Sequence, residues 1–444
     1  MNDTPTLFEL PSPEERPGRP GPEAEPRVER PNREQLELRS VDLESVLPAD
    51  HRARLVWEFV AGLDLAPWYR EIKAVAGHAG RPAIDPAILM ALWLYATVDG
   101  VGSARAVARL CEEHDAYRWI CGGVSVNYHT LADFRVQHAE SLDQVLTTSV
   151  AALMAEGLVT LTRVAQDGVR VRASAGAASF RREPRLEGYL AEAAAQVAAV
   201  RQELADDPGA TTRRQAAARQ RAARERQDRV AKALAQVAEL QAQKKAAERD
   251  KTRASTTDPE ARVMKMADGG FRPAFNGQFA TDTATQIIAG VDASNVGSDR
   301  GQLVPMTDQL HERYGQAPPE MLVDGGFVTL EAISAVAQPE VGCTVYAPVP
   351  TPRDPSRDPS QPRPGDSEAV AQWRERMGTD AAKTIYKERA ATAECVNAIA
   401  RNRGLQRFLV RGLPKIKAVL MWFALAHNLL RATALRQAAA CAPL

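Results

Sequence analysis

Three things are scarce or missing in this chain, and each absence closes a class of protein. Cysteine is scarce: Cys111, Cys121, Cys343, Cys395 and Cys441 are scattered, with no C-x-x-C pair. That argues against a disulfide framework or a zinc knuckle and suits a reducing compartment. Net charge is missing, because Lys plus Arg and Asp plus Glu number 56 each. Bulk electrostatics therefore neither favours nor opposes a nucleic-acid partner, and any basic surface has to be local. Long apolar runs are missing too. No uncharged stretch reaches the ~18 residues of a membrane span, and the N-terminus lacks a basic-then-apolar leader pattern. The expectation is a soluble, cytoplasmic protein with no membrane contact.

What is present is ordinary globular composition, 45% hydrophobic and 25% charged, in 444 residues. That length predicts two or three domains. Residues 1–39, rich in Pro, Glu, Arg and Gly, read as a disordered arm. From 40 to 157 the apolar residues recur at threes and fours, as in PAILMALWLYATV and SARAVARLCEEH, with Ser103 at an N-cap position. Gly122 and Gly123 end one helix, and a polar-faced helix with Tyr128, His129, Thr130, Asp133 and Arg135 follows. This spacing fits a helix-turn-helix or a plain helical bundle.

Residues 161–174, LTRVAQDGVRVRAS, read as a short strand ending near Asp167. Residues 185–253 are strong helix formers and predict an inserted helical hairpin. Its second arm carries Arg213, Arg214, Arg219, Arg221, Arg224, Arg226 and Arg229. Those arginines fit a solvated face equally with a phosphate contact or a dimer arm. From 271 to 350 strands alternate with helices, which predicts an α/β core. TPRDPSRDPSQPRPGD is a Pro-rich loop, PKIKAVLMWFALAHNLLRATAL a long apolar helix, and 432–444 a tail.

Two acids share one context. Asp167 in VAQDG and Asp324 in MLVDGG each follow an apolar strand and precede Gly. Carboxylates at strand ends open onto the ligand crevice of an α/β sheet, and paired ones suit Mg²⁺ or Mn²⁺. An Asp-Gly after a strand is also usually a turn. Asp282 and Asp292 sit at similar positions, and position alone does not choose among the four. A third acid lies in YKERAATAECVNAIARNRG, where Glu394 and Arg401 are seven apart on one helix face. Three carboxylates with nearby bases suit two-metal phosphoryl chemistry.

Taken together, YHTLADFR, the VAQDG strand with VRVRASAGAASFRRE, DPEARVMKMADGGFRPAFNGQ, LVDGGF, the Y-x-x-R-x-x-x-x-E run, RFLVRGLPKIK and ALAHNLLR resemble bacterial insertion-sequence transposases of the DDE type. The resemblance covers about residues 40–431. It implies mixed α/β architecture: a ribonuclease-H-like catalytic domain (158–184 and 254–431), an all-α DNA-binding domain (40–157) and the inserted hairpin. It implies Asp167, Asp324 and Glu394 as catalytic acids holding Mg²⁺ or Mn²⁺, and ranks Asp282 and Asp292 below them. Tyr386, Arg389 and Arg401 would clamp phosphates, while His129, Thr130, Arg135 and Gln137 would read DNA. The implied partners are double-stranded DNA, as terminal inverted repeats and target, and a second copy in a synaptic complex at the nucleoid. The chain departs from the family's habit in three places. Four residues rather than three separate Arg389 from Glu394, Arg401 stands where Lys is commoner, and Cys395 and Val396 follow the acid. Glu388 is the alternative acid. A catalytically inactive, transposase-derived repressor is the competing reading, followed by a stand-alone nuclease and a coiled-coil scaffold.

Overall fold

The computed structural model describes residues 34, 42–74, 77, 82–207, 212–352, 354 and 356–441. The proposed arm (apart from residue 34) and the DDPGA break, from residue 208 on, lie outside them. Eight strands occur among the described residues: β1 (Arg163–Arg172), β2 (Phe180–Arg181), β3 (Ala254–Ser255), β4 (Arg262–Lys265), β5 (Phe271–Asp282), β6 (Ile288–Ser294), β7 (Glu320–Leu322) and β8 (Thr344–Tyr346). Six of them form one mixed sheet, in which β5, β1, β7 and β8 are successive neighbours. β4 and β6 share the outer edge of β5, β4 along residues 271–274 and β6 along 276–281. β1 is antiparallel to β5 and parallel to β7, and β7 is parallel to β8.

The first strand corrects the sequence reading. It does not end at Asp167 but runs on to Arg172, with Asp167 opposite Phe279 and Arg172 opposite Ala274. Alternation explains this: Val169 and Val171 point into the core, and the long β5 supplies a partner for every residue. Only on the β7 side does pairing stop, at Ala165 with Leu322. Two residues beyond that last pair lie Asp167, still within β1, and Asp324, just past the end of β7.

The C-terminal helix organises everything else. Leu413–Cys441 continues past residue 432, so the expected tail is helical up to Cys441. Its apolar residues wrap round the whole circumference, the pattern of a helix buried on all sides. It has the length and hydropathy of a membrane span, yet 72% of that window is buried inside the protein. One side lies on the sheet, with Phe423 near Phe279 and Leu420 against Gly277. Asn428 mimics a strand by pairing with both backbone groups of Ile288, while His427 and Arg431 bind the carbonyls of Gln286 and Thr285. The HNLLR stretch therefore clamps the β5–β6 turn.

The other side of that helix meets the N-terminal helices. Trp422 donates to the Arg135 carbonyl at 2.9 Å, and Arg436 pairs with Glu156 through two hydrogen bonds. One continuous hydrophobic core runs from Leu47 through Trp93 and Val169 to Ala432. The start of the C-terminal helix is capped by Glu260 Oε2, which accepts from the Leu413 N–H at 2.6 Å. That gives the DPEAR stretch a structural job. The hairpin forms as expected, from helices Glu183–Asp206 and Arg213–Ala242. Its apolar seam joins Leu186 with Val230 and Val237, and Val197 and Val200 with Ala223.

Candidate active site

β1 and the end of β7 present Asp167 and Asp324 to one cleft, which Gly168, Arg170, Arg172, Arg272, Asp299 and Arg401 also line. Asp167 is held firmly. Its Oδ1 accepts from the Gly168 N–H at 2.9 Å and its Oδ2 from Asn397 Nδ2 at 3.0 Å. Burial pushes its pKa up to about 6; the Arg389 guanidinium and the Gly168 N–H oppose this, and the carboxylates of Asp324 and Asp299 add to it.

Arg389 stands between two of the three sequence-predicted acids. Its Nη1 stands 3.8 Å from Asp167 Oδ2 and its Nη2 3.6 Å from Glu394 Oε1. Asp324 is close enough to act on both Asp167 and Arg389. The Glu394 side chain is 63% exposed, against 18% for Asp167. Tyr386 lies under the Arg389 guanidinium, 5.8 Å from it. Burial raises the Tyr386 pKa, with Arg389 opposing and the two aspartates reinforcing the rise.

The odd Arg389–Glu394 spacing has a local cause. Helices Asp380–Arg389 and Cys395–Asn402 are joined by a π-helical turn, Ala390–Glu394, which carries one residue more than an α-turn. That extra residue places Arg389 and Glu394, five apart, where residues four apart meet in an α-helix. The turn packs Thr392 and Ala393 inward against the sheet.

The other acids are engaged elsewhere. Glu388 is paired with Arg163 at 2.6 Å, and Arg163 also holds Glu320. Asp282 accepts from the Thr285 N–H and hydroxyl in the turn after β5. Asp292 pairs with Lys417 at 3.1 Å. The sequence reading missed Asp299. Its Oδ1 accepts from Asn276 Nδ2 at 2.7 Å and Gln278 Nε2 at 2.8 Å, and Arg170 lies 3.6 Å away. The one available signal was Gly168, because a glycine inside a strand marks a close approach, and Asp299 is what approaches it.

No group of three or more His, Cys, Asp or Glu side chains forms a ready-made metal cage among the described residues. The donor chemistry nonetheless suits a hard divalent cation: Asp167 and Asp324 line one cleft, and the buried Oδ1 of Asn397 has no hydrogen-bond partner.

Next to this cleft is a second groove, lined by Arg135, Arg172, Arg403 and Arg407 and sharing Arg172, Leu405 and Gln406 with the first. Helices Asp115–Cys121 and Tyr128–Gln137 flank a turn in which Gly122 has φ 56°. His129 and Gln137 are exposed. Thr130 accepts from Asn127 Nδ2, and its N–H is capped by the same side chain. Arg135 turns inward, stacking on Trp93 at 4.4 Å and donating to the Gly102 carbonyl at 2.6 Å.

Two family models match the chain. One, described as Transposase domain (DUF772), matches residues 41–137 and contains all four residues named above on the helix Tyr128–Gln137. The other, described as Transposase DDE domain, matches residues 353–433 and contains Tyr386, Arg389, Glu394 and Arg401. Asp167 and Asp324 lie outside both matches. No curated protein and no solved structure matches. Both matches are to transposase domains, and together they support a DDE-type transposase of an insertion sequence.

Proposed function

We propose that this transposase binds the terminal inverted repeats of its element and performs metal-dependent phosphodiester cleavage and strand transfer with Asp167, Asp324 and Glu394. The observation that carries the reading is the meeting of these acids: two line one cleft, and Arg389 links Asp167 to Glu394. The sheet supports a ribonuclease-H-like core, since β6 and β5 are antiparallel neighbours beside β1, with β7 and β8 parallel to it.

A bound Mg²⁺ pair, replaceable by Mn²⁺, would supply the Lewis acidity that makes water a nucleophile and neutralises the departing 3′-oxygen. The chain's own contribution is positioning. Asp167 and Asp324 are fixed on the sheet, whereas the exposed Glu394 is free to adjust. Arg389 keeps the acids compatible before DNA arrives and is then available, with Tyr386, to a backbone phosphate. Arg401 lies on the cleft wall, and Arg170, Arg172, Arg403 and Arg407 continue a basic track from it. The helical part around 40–157 would read the repeat through His129, Thr130 and Gln137. Arg135 would fix the base of that helix by its contacts with Trp93 and Gly102. Two ends must be joined, so a dimeric synaptic complex is part of the proposal.

The test is cleavage of labelled DNA carrying the element's ends, with Mg²⁺ or with chelator. Wild-type protein should cut at the boundary only with metal. Asp167→Asn, Asp324→Asn and Glu394→Gln should each abolish cutting while keeping DNA binding, whereas Glu388→Gln should still cut. Binding by the wild type without cutting would support the repressor reading instead.

A further inference from the structure

Asn397 is buried, with 4% of its surface exposed, three residues after Glu394 on the same helix face. Its two amide atoms have different fates. Nδ2 donates to Asp167 Oδ2 at 3.0 Å, which fixes the amide's orientation because a carboxylate oxygen facing it accepts. Oδ1 is buried and has no partner. A side chain serving only to fill space here would be cheaper as Ala or Leu, since an orphaned buried carbonyl costs about 1–3 kcal/mol. Asp167 Oδ1 is already occupied by the Gly168 N–H, so Asn397 controls the other oxygen. The π-turn ends at Glu394, so the step from Glu394 to Asn397 is regular α-helix and couples the two rigidly.

We propose that Asn397 is a positioning residue of the active site, holding Asp167 Oδ2 through Nδ2 and offering Oδ1 to a water bound on a divalent cation in the cleft. This rests on the metal-dependent reading above and adds a residue to it. Polar partners one step behind metal-binding side chains fix their direction and basicity. Their loss usually weakens metal affinity or activity by about 10–100-fold. Asn397 occupies that place relative to Asp167, and the same helix that carries Glu394 supplies it. Glu394 and the orientation of the sheet acid are thereby set by one rigid element.

The experiment measures Mn²⁺ binding to the full chain by electron paramagnetic resonance, alongside the Mg²⁺ dependence of end cleavage. Asn397→Ala should bind Mn²⁺ roughly 10–100-fold more weakly than wild type. Its cleavage should need proportionately more Mg²⁺ and recover at saturation. Asn397→Ser, which keeps a hydroxyl at the site, should fall between the two and serves if the alanine variant does not fold. Unchanged Mn²⁺ affinity in a folded variant overturns the assignment. So does a cleavage loss that no Mg²⁺ concentration restores, since that marks a purely structural role. Absence of Mn²⁺ binding and of metal-dependent cleavage in the wild type would instead overturn the metal reading itself.

Discussion

Replacing Gly168 with Ala tests whether the loop carrying Asp299 is packed against the strand as described. Gly168 lies in an extended strand, so backbone strain is not at issue. The added Cβ would overlap Asp299 Oδ1 outright, and would stand 2.7 Å from Asn276 Oδ1 and 2.8 Å from Gln278 Nε2. Ordinary contact begins near 3.4 Å, so both amides must retreat by more than half an ångström and the carboxylate further. Both amides donate to that carboxylate oxygen, at 2.7 and 2.8 Å, so none of the three moves alone. Overpacking of this kind costs about 1–3 kcal/mol. Urea denaturation followed by tryptophan fluorescence should show a loss of that size. Asp299→Ala in the same chain should recover part of it, because the worst overlap is gone, and a double-mutant cycle measures that coupling. End cleavage by Gly168→Ala should fall as well, since Asp167 is the adjacent residue. A Gly168→Ala protein within about 0.5 kcal/mol of wild type, with no coupling to Asp299, would refute the reasoning.

Three more expectations follow from other parts of the fold. Asp366 and Arg374 form an ion pair with side chains only 6% and 4% exposed, so Asp366→Ala leaves a buried charge alone and should cost about 3–5 kcal/mol in a thermal melt. Burial lowers the His427 pKa to about 4 while its ring donates to the Gln286 carbonyl. An unfolded histidine takes its proton near 6.5. Stability from this residue is therefore complete above that value and declines as pH falls toward 4, by about 3 kcal/mol at most; His427→Gln should show a correspondingly flatter dependence of melting temperature on pH. Deleting Ala391 would convert the π-turn to a regular α-turn and leave Arg389 and Glu394 four apart on the same helix face, so Mn²⁺ binding and cleavage should both survive; a folded deletion protein that loses both would show that the π-turn does more than absorb the extra residue.

How much of this was readable beforehand depended on whether the signal was local. The helical region, the hairpin and the α/β alternation followed from periodicity and composition, because amphipathic spacing is written residue by residue. Ser103 and Asn127 cap helices as their types suggest. The choice of Asp167 and Asp324 over Asp282 and Asp292 came from family resemblance and not from position. In three dimensions Asp282 and Asp292 are tied up by Thr285 and Lys417, partners no short window reveals for the second of them. The length of β1 was misjudged because Asp-Gly usually turns a chain. Here a twelve-residue partner strand overrides that preference. Asp299 was invisible for the same reason: its importance comes from a loop crossing to Gly168, a contact more than a hundred residues away in sequence. The π-turn left a trace, the extra residue between Arg389 and Glu394, but only the helix geometry gave it meaning.

The central position of Leu413–Cys441 has a consequence for how the protein is made. The helix that completes the core between the sheet and the N-terminal helices leaves the ribosome last among the described elements. Until then Phe279 and Gly277 on one side, and Phe134 on the other, lack Phe423, Leu420 and Trp422, which pack against them. Any premature stop or frameshift before residue 413 therefore yields a chain with two uncovered apolar faces and no way to join them. Such a product exposes the kind of apolar surface that makes incompletely folded chains aggregate. A gene copy cut short there would in this way fail at the level of folding, even with Asp167, Asp324 and Glu394, the proposed acids, intact.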